Sequence, residues 1–401
     1  MAILRGQSDF DDLIASPFTR LAQLLEGIEP GASPIDLSLG EPRALLPAFL
    51  GPILEKHLAE FGRYPPIRGI APLREAIVDW IGRRYPSLDG RIDAESGVLP
   101  LNGSREGLFS SIFPALARKP VQRPAVLIPN PFYPVYAAAA AAAGVEPVFL
   151  AASEATGFLP DLQRIDAAVL ERTVAFYLCS PSNPEGAVAD HDYLAAAVAL
   201  ARRFDVMLFA DECYSEIYSA DPPPGALETG FAMDGTLANV VSFQSLSKRS
   251  GLPGLRSGFL AGDPSFIARL ARFRNVACPQ VPLPIQHASA ALWLDETHVD
   301  EGRAAYRRNL DIADSLLAGK YGYRRPKGGL FLWLDMTAHG GGEAAAKTLW
   351  KGVGVKILPG SFLGRPGACG ANPGLNHVRM ALVHDARATG EASARIVAAL
   401  G

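Results

Sequence analysis

Four short and almost uninterrupted apolar runs recur along the middle of this 401-residue chain: Gly97-Val-Leu-Pro-Leu101, Pro124-Ala-Val-Leu-Ile-Pro129, Ala175-Phe-Tyr-Leu-Cys179 and Val206-Met-Leu-Phe-Ala210. Each is too short for a helix and lacks the polar alternation of a strand with one wet face, so each reads as a strand buried on both sides. Helical segments lie between them: Leu108 to Ala117, the alanine run Ala137 to Ala143, and Asp190 to Phe204. Alanine is the best helix former, and Gly144 is a fitting stop. Strands alternating with helices predict an α/β fold with a mostly parallel central sheet covered by helices on both faces. Ligands of such sheets gather beyond the carboxyl ends of the strands, and Asn183, Asp211, Tyr214 and Lys248 all follow such ends.

Lys248 lies in Ser242-Phe-Gln-Ser-Leu-Ser-Lys-Arg-Ser-Gly-Leu-Pro-Gly-Leu-Arg-Ser-Gly-Phe259, on the connection between strand-like Leu237–Phe243 and Gly258–Gly262. A lysine becomes a nucleophile when desolvation or a neighbouring cation strips its proton, and Arg249 and Arg256 are expected to supply that charge. Ser245, Ser247 and Arg256 offer hydroxyls and a guanidinium fork to a phosphate. Asn102-Gly-Ser-Arg-Glu, a small-residue turn opening a helix, is a second candidate phosphate site. An amine beside a phosphate site suggests a phosphorylated aldehyde, and pyridoxal phosphate fits, given an acidic partner for its ring nitrogen. Asp211 ends an apolar strand, where a carboxylate without a cationic partner would be costly; a protonated pyridinium is such a partner. Asn130-Pro-Phe-Tyr-Pro-Val-Tyr136 places an aromatic ring on the loop after its strand, where it could stack on a heterocycle.

The flanks predict helices over 13–29, 47–61, from Pro72, over 264–274, near Pro284 and over 299–318, and a short strand before Gly40-Glu-Pro42. Gly328–Asp335, Val353–Gly360 and Asn376–Val383 read as strands of a smaller α+β domain. The expected division is 1–46 as an amino-terminal arm with part of the small domain, 47–295 as the large cofactor domain, and 296–401 as the small domain. Arg379, within an apolar strand, wants a bidentate anion, either a substrate carboxylate or an internal salt-bridge partner.

A net charge of −3 without basic runs gives no footprint for nucleic acid. No apolar run is long enough for a membrane span, and the start lacks a secretory pattern, so a cytoplasmic location is expected. The four cysteines, Cys179, Cys213, Cys278 and Cys369, and the seven histidines show neither disulfide nor metal-ligand spacing. No metal is expected from that spacing.

Gly40-Glu-Pro, Tyr64, Asn102-Gly-Ser-Arg-Glu, Tyr133, Ser182-Asn-Pro-Glu-Gly, Asp211-Glu-Cys-Tyr, Ser245-Leu-Ser-Lys, Arg256 and Val378-Arg-Met, in that order, resemble the class I/II aminotransferases of fold type I over residues 35 to 385. The resemblance implies that Lys248 forms the internal aldimine with pyridoxal phosphate, that Asp211 pairs with its ring nitrogen, and that Asn183 and Tyr214 bond its hydroxyl. Tyr133 would stack on the ring. Gly103, Ser104, Arg105, Ser245, Ser247 and Arg256 would hold the phosphate, with Tyr64 contributed by a second subunit of a homodimer. Arg379, Asn183 and the Gly40 backbone would grip the substrate α-carboxylate. Asp211–Tyr218, Pro223-Pro-Gly-Ala-Leu, Ser247–Phe259 and Trp293-Leu-Asp-Glu-Thr-His-Val are similar to succinyldiaminopimelate aminotransferases of bacterial lysine synthesis. That likeness implies N-succinyl-L,L-diaminopimelate and 2-oxoglutarate as substrates, with Arg43 a candidate for a distal carboxylate. Glu185 departs from the threonine usual in the family's asparagine loop. Rival readings are an aspartate or aromatic aminotransferase, a β-lyase on the same fold, and a regulatory protein, for which the short amino-terminal arm leaves no room for a DNA-binding module.

Overall fold

The computed structural model describes residues 11, 13–43, 46–367 and 370–401. Seven strands form the central sheet: β2 (Val98–Leu101), β3 (Ala125–Asn130), β4 (Glu146–Ala151), β5 (Thr173–Cys179), β6 (Met207–Asp211), β7 (Val240–Ser245) and β8 (Gly258–Gly262), in the order β2-β8-β7-β6-β5-β3-β4. The pairs from β4 through β7 are parallel, while β8 runs antiparallel to both its neighbours. Every residue of β2, β3, β5, β6, β7 and β8 is buried, as the unbroken apolar runs demand.

Apolar clusters form on both faces of this sheet, one around Trp80, Trp293 and Phe259, the other around Tyr136, Phe209 and Phe266. Strand β4 escaped the sequence reading. It is an edge strand, only half-buried, with Pro147 inside it; edges tolerate proline because the missing N–H faces no partner, and the residue breaks the apolar pattern.

The second unit is a three-stranded antiparallel sheet of β9 (Phe331–Asp335), β11 (Leu358–Pro359) and β12 (His377–Ala381), with β12 in the middle. Beside it the two-residue strands β1 (Ile35–Asp36) and β10 (Val355–Lys356) pair in parallel, which brings the amino-terminal segment onto the carboxy-terminal region. The helices Thr297–Leu317, Gly342–Val353 and Ala386–Leu400 contribute to the core of this unit. The stretch 353–360, expected as one strand, is two short ones either side of Ile357.

Two helical expectations are corrected. Helix Pro17–Leu24 is shorter than 13–29, because proline forces the preceding Ser16 into extended backbone (ψ 126°) and Gly27 turns the chain with φ +72°. The span 47–61 is helix Leu50–Lys56 followed by a tighter turn, Leu58–Gly62, with the break at His57.

Candidate active site

The ends of β5, β6 and β7 open into one cleft of about 200 Å³ that also takes in Gly40 and Arg379 of β12. Ser104, Arg105, Tyr133, Asn183, Asp211, Tyr214, Ser245, Ser247, Lys248 and Arg256 line it together with those two. Residues spread over more than 300 positions of sequence thus meet because the parallel strands all deliver their loops to the same edge. Gly103 immediately precedes Ser104 with φ +78°, and a side chain there would collide with the Arg256 guanidinium. Tyr64 stands fully exposed and outside this cleft.

Lys248 sits on a single helical turn, Leu246–Arg249, whose start is capped by Ser245 Oγ accepting from the Ser247 N–H at 3.1 Å. Its Nζ donates to the Gly40 carbonyl and lies 5.7 Å from the Tyr214 ring centre. Burial, reinforced by the positive charges of Arg379 and Arg105, pulls its pKa down to about 8. The expectation that Arg249 supplies such a charge is corrected. Its side chain turns the other way, donating to the carbonyls of Leu292 (2.7 Å) and Asp295 (3.2 Å), pairing with Glu296 (2.6 Å) and lying 4.9 Å over Trp293. Successive residues on one helical turn point about 100° apart, so a neighbour in sequence faces elsewhere.

Asp211 is 2% exposed at the end of β6, and burial raises its pKa. One oxygen, Oδ2, accepts from the Tyr136 hydroxyl at 2.5 Å. Tyr136 is fully buried and stacks on Tyr177 at 4.5 Å, and Tyr177 in turn donates to the Leu108 carbonyl at 2.8 Å. This chain of rings fixes the carboxylate from behind and favours its ionised form. Asn183 faces Arg379: its Oδ1 accepts from Arg379 Nη1 at 3.0 Å, while its Nδ2 stands 3.5 Å from the Tyr214 hydroxyl.

Arg379 is buried, and its pKa falls to about 10 through loss of water. Nη2 donates to the Ser38 carbonyl at 2.7 Å, the guanidinium lies 4.2 Å over Phe331, and Nε has no partner. The internal salt bridge is therefore not made with any carboxylate among the described residues. A buried cation with an unused N–H is unfavourable until an anion completes it.

Arg256 holds a left-handed backbone (φ 50°, ψ 49°), which only surrounding structure sustains in a side-chain-bearing residue. Its guanidinium donates to the carbonyls of Pro253 (2.9 Å) and Asn102 (3.2 Å), and Arg105 Nε donates to the Tyr133 hydroxyl at 2.6 Å. An amine of lowered pKa, a buried carboxylate, an aromatic ring, three serine hydroxyls and two guanidinium groups are the complement of a phosphorylated pyridine aldehyde. The donor set fits pyridoxal phosphate.

Sequence reasoning missed four groups here. Tyr136 follows Tyr133 by one helical turn and carried no polar signature of its own. Cys213 and Phe331 line the cleft from within motifs read for their neighbours. Phe18, on the amino-terminal helix, also lines it, and nothing in its surroundings marks it. Arg43, the suggested reader of a distal carboxylate, is exposed, lies 3.2 Å from His384 Nδ1 and does not line the cleft. Glu185 is buried beneath the asparagine loop with Oε1 unpartnered, and burial pushes its pKa up to about 8. It lines a small pocket with Tyr133, Tyr136, Phe158 and Pro160.

The pattern that defines the aminotransferase class I and II family matches residues 33–388. An LL-diaminopimelate aminotransferase of Moorella thermoacetica is 30% identical over 396 residues, covering 96% of this chain and 95% of its own. An aminotransferase structure from Neisseria meningitidis superposes with a TM-score of 0.90 at 35% identity, over 97% of this chain and 99% of its own. A structure described as a "probable N-succinyldiaminopimelate aminotransferase" from Thermus thermophilus has a TM-score of 0.83 at 26% identity, over 96% of this chain and 100% of its own. With the fold, the cleft and these likenesses in agreement, the chain belongs to the class I and II aminotransferases, fold type I enzymes that act on amino and keto acids with pyridoxal phosphate as cofactor.

Proposed function

We propose that this aminotransferase moves the amino group of N-succinyl-L,L-diaminopimelate to 2-oxoglutarate, giving N-succinyl-2-amino-6-oxopimelate and L-glutamate, a step of bacterial lysine synthesis. The observation that carries the transaminase reading is the pairing, in one cleft, of a partly deprotonated Lys248 amine with the unfilled Arg379 guanidinium. The segment likenesses around Asp211 and Lys248, and the Thermus thermophilus structure, support the succinylated substrate. A second reading, free LL-diaminopimelate as donor, is favoured by the Moorella thermoacetica relative.

In this reading Arg379 grips the substrate α-carboxylate with Asn183 and the Gly40 backbone beside it. That places the α-carbon near Lys248, whose neutral amine takes the α-proton as general base and later returns a proton as general acid. Asp211, held by Tyr136, would be the anionic partner for the ring nitrogen of pyridoxal phosphate, Tyr133 would cover the ring, and Asn183 and Tyr214 would bond its hydroxyl. Ser104, Arg105, Ser245, Ser247, Arg256 and the Gly103 backbone would hold its phosphate. Pyridoxal phosphate, when bound, supplies the electron sink that makes the α-proton removable. The exposure of Tyr64 supports its assignment to the cleft of a partner in a homodimer. Free Cys179, Cys213 and Cys278 support a reducing, cytoplasmic location; among the described residues no helix is long and apolar enough to cross a membrane, and Cys369 lies outside them. The grouping of the strands into a central and a smaller sheet supports a division into 1–46, 47–295 and 296–401.

Glutamate formation from each donor, with and without 2-oxoglutarate, tests the assignment. Keto-acid release that needs no acceptor would make the enzyme a β-lyase instead. Lys248→Ala is expected to abolish turnover, and wild-type turnover in that variant would overturn the role given to Lys248.

A further inference from the structure

Away from the cleft, a second group of chemically capable side chains meets at the junction of helices Leu50–Lys56 and Leu283–Leu294. His57 follows the first helix, Glu60 lies on the next turn, and His287 comes from the second helix, 227 positions further on. His57 Nδ1 stands 2.6 Å from Glu60 Oε1, and His287 Nε2 stands 3.3 Å from Glu60 Oε2. The two imidazoles are stacked, with centres 3.6 Å apart and planes 12° from parallel. One ligand atom from each of the three residues lies within 4.8 Å of the other two.

We propose that His57, Glu60 and His287 form a binding site for a late first-row divalent metal ion such as zinc, with His57 Nδ1, His287 Nε2 and a Glu60 oxygen as ligands and water completing the shell. Two imidazole nitrogens with one carboxylate oxygen suit zinc, cobalt or nickel and not the all-oxygen preference of magnesium or calcium. Nitrogen–metal distances near 2.0–2.1 Å put ligand atoms about 3.3 Å apart in a tetrahedral shell. The required closure, with the two rings fanning apart around the ion, is open to side chains that remain 18%, 29% and 25% exposed. The ion would fasten the segment 50–62 to helix Leu283–Leu294, outside the chemistry of the cleft. The pattern is invisible in sequence because two ligands are three residues apart and the third is remote.

The test is equilibrium dialysis of chelator-treated holoenzyme against zinc, with cobalt absorption as a spectroscopic readout, on wild type, Glu60→Gln, His287→Ala and the double variant His57→Ala/His287→Ala. The expected result is one zinc per chain in wild type, binding weakened roughly tenfold or more in each single variant, and none at this site in the double variant. Zinc should raise the melting temperature of wild type and not that of the double variant, whose helical circular dichroism and transaminase activity report that it is folded. Absence of saturable binding at micromolar zinc in wild type, or equal binding in the double variant, would overturn the proposal.

Discussion

In the proposed function the chemistry turns on the pKa of Lys248, which can be measured in the cofactor-free protein. An ordinary lysine releases its proton near pH 10.4, and each unit below that reduces the neutral fraction tenfold. With Lys248 drawn down to about 8, about a tenth of the chains carry a neutral amine at pH 7, roughly 250-fold more than for an unperturbed lysine. The sign for stability follows from the same shift. Because the folded pKa lies below the unfolded one, the cofactor-free protein bears a cost of about 3 kcal/mol at and below pH 8, which fades as pH rises toward 10.4. Lys248→Met should therefore stabilise the cofactor-free protein at pH 7 by up to that amount and make no difference in strong alkali. Trace acetylation across the pH range, read by mass spectrometry of the Lys248 peptide against surface lysines, gives the midpoint directly. Arg379→Gln should move it upward, since the Arg379 charge is one of its causes. A Lys248 midpoint indistinguishable from surface lysines would refute the argument that burial and cationic neighbours prepare the amine.

Tyr136→Phe removes the 2.5 Å bond to Asp211 while leaving the stacked ring in place; a charged-group hydrogen bond of about 1.5–3 kcal/mol predicts a roughly 10- to 150-fold loss in kcat/KM, checked by steady-state kinetics, with the protein still folded. Arg379→Lys keeps the charge but loses the fork, so KM for both amino and keto acids should rise together. Glu185 carries a folded pKa near 8 against an unfolded one near 4.5. Wild-type stability should then fall by roughly 3 to 6 kcal/mol as pH rises from 4.5 to 8, and Glu185→Gln should flatten that fall in urea titrations at the two pH values.

The central sheet was legible because buried parallel strands write themselves as unbroken apolar runs, and the site was legible because those strands end in polar loops. The failures have physical causes. Strand β4 sits at an edge with a proline in it, so its pattern is diluted. Arg249 was placed beside Lys248 by sequence adjacency, whereas a helical turn sends neighbours in different directions and this one into the pocket beside Trp293. Tyr136 was passed over because a buried tyrosine in an apolar helix looks like core, and only the fold shows its hydroxyl reaching Asp211. Apart from these, the proposed ligands His57, Glu60 and His287 show no ligand spacing in sequence because helix packing, and not chain order, brings them together.

Substrate assignment is tested most directly by the visible absorption of the purified holoenzyme as amino donors are added one at a time: N-succinyl-L,L-diaminopimelate, free LL-diaminopimelate, glutamate, aspartate and an aromatic amino acid. The account predicts that the band of the lysine-bound cofactor is converted by glutamate and the succinylated compound at far lower concentrations than by the others. Preferential conversion by free LL-diaminopimelate would move the assignment to the second reading, and a response mainly to aspartate or aromatic donors would contradict both.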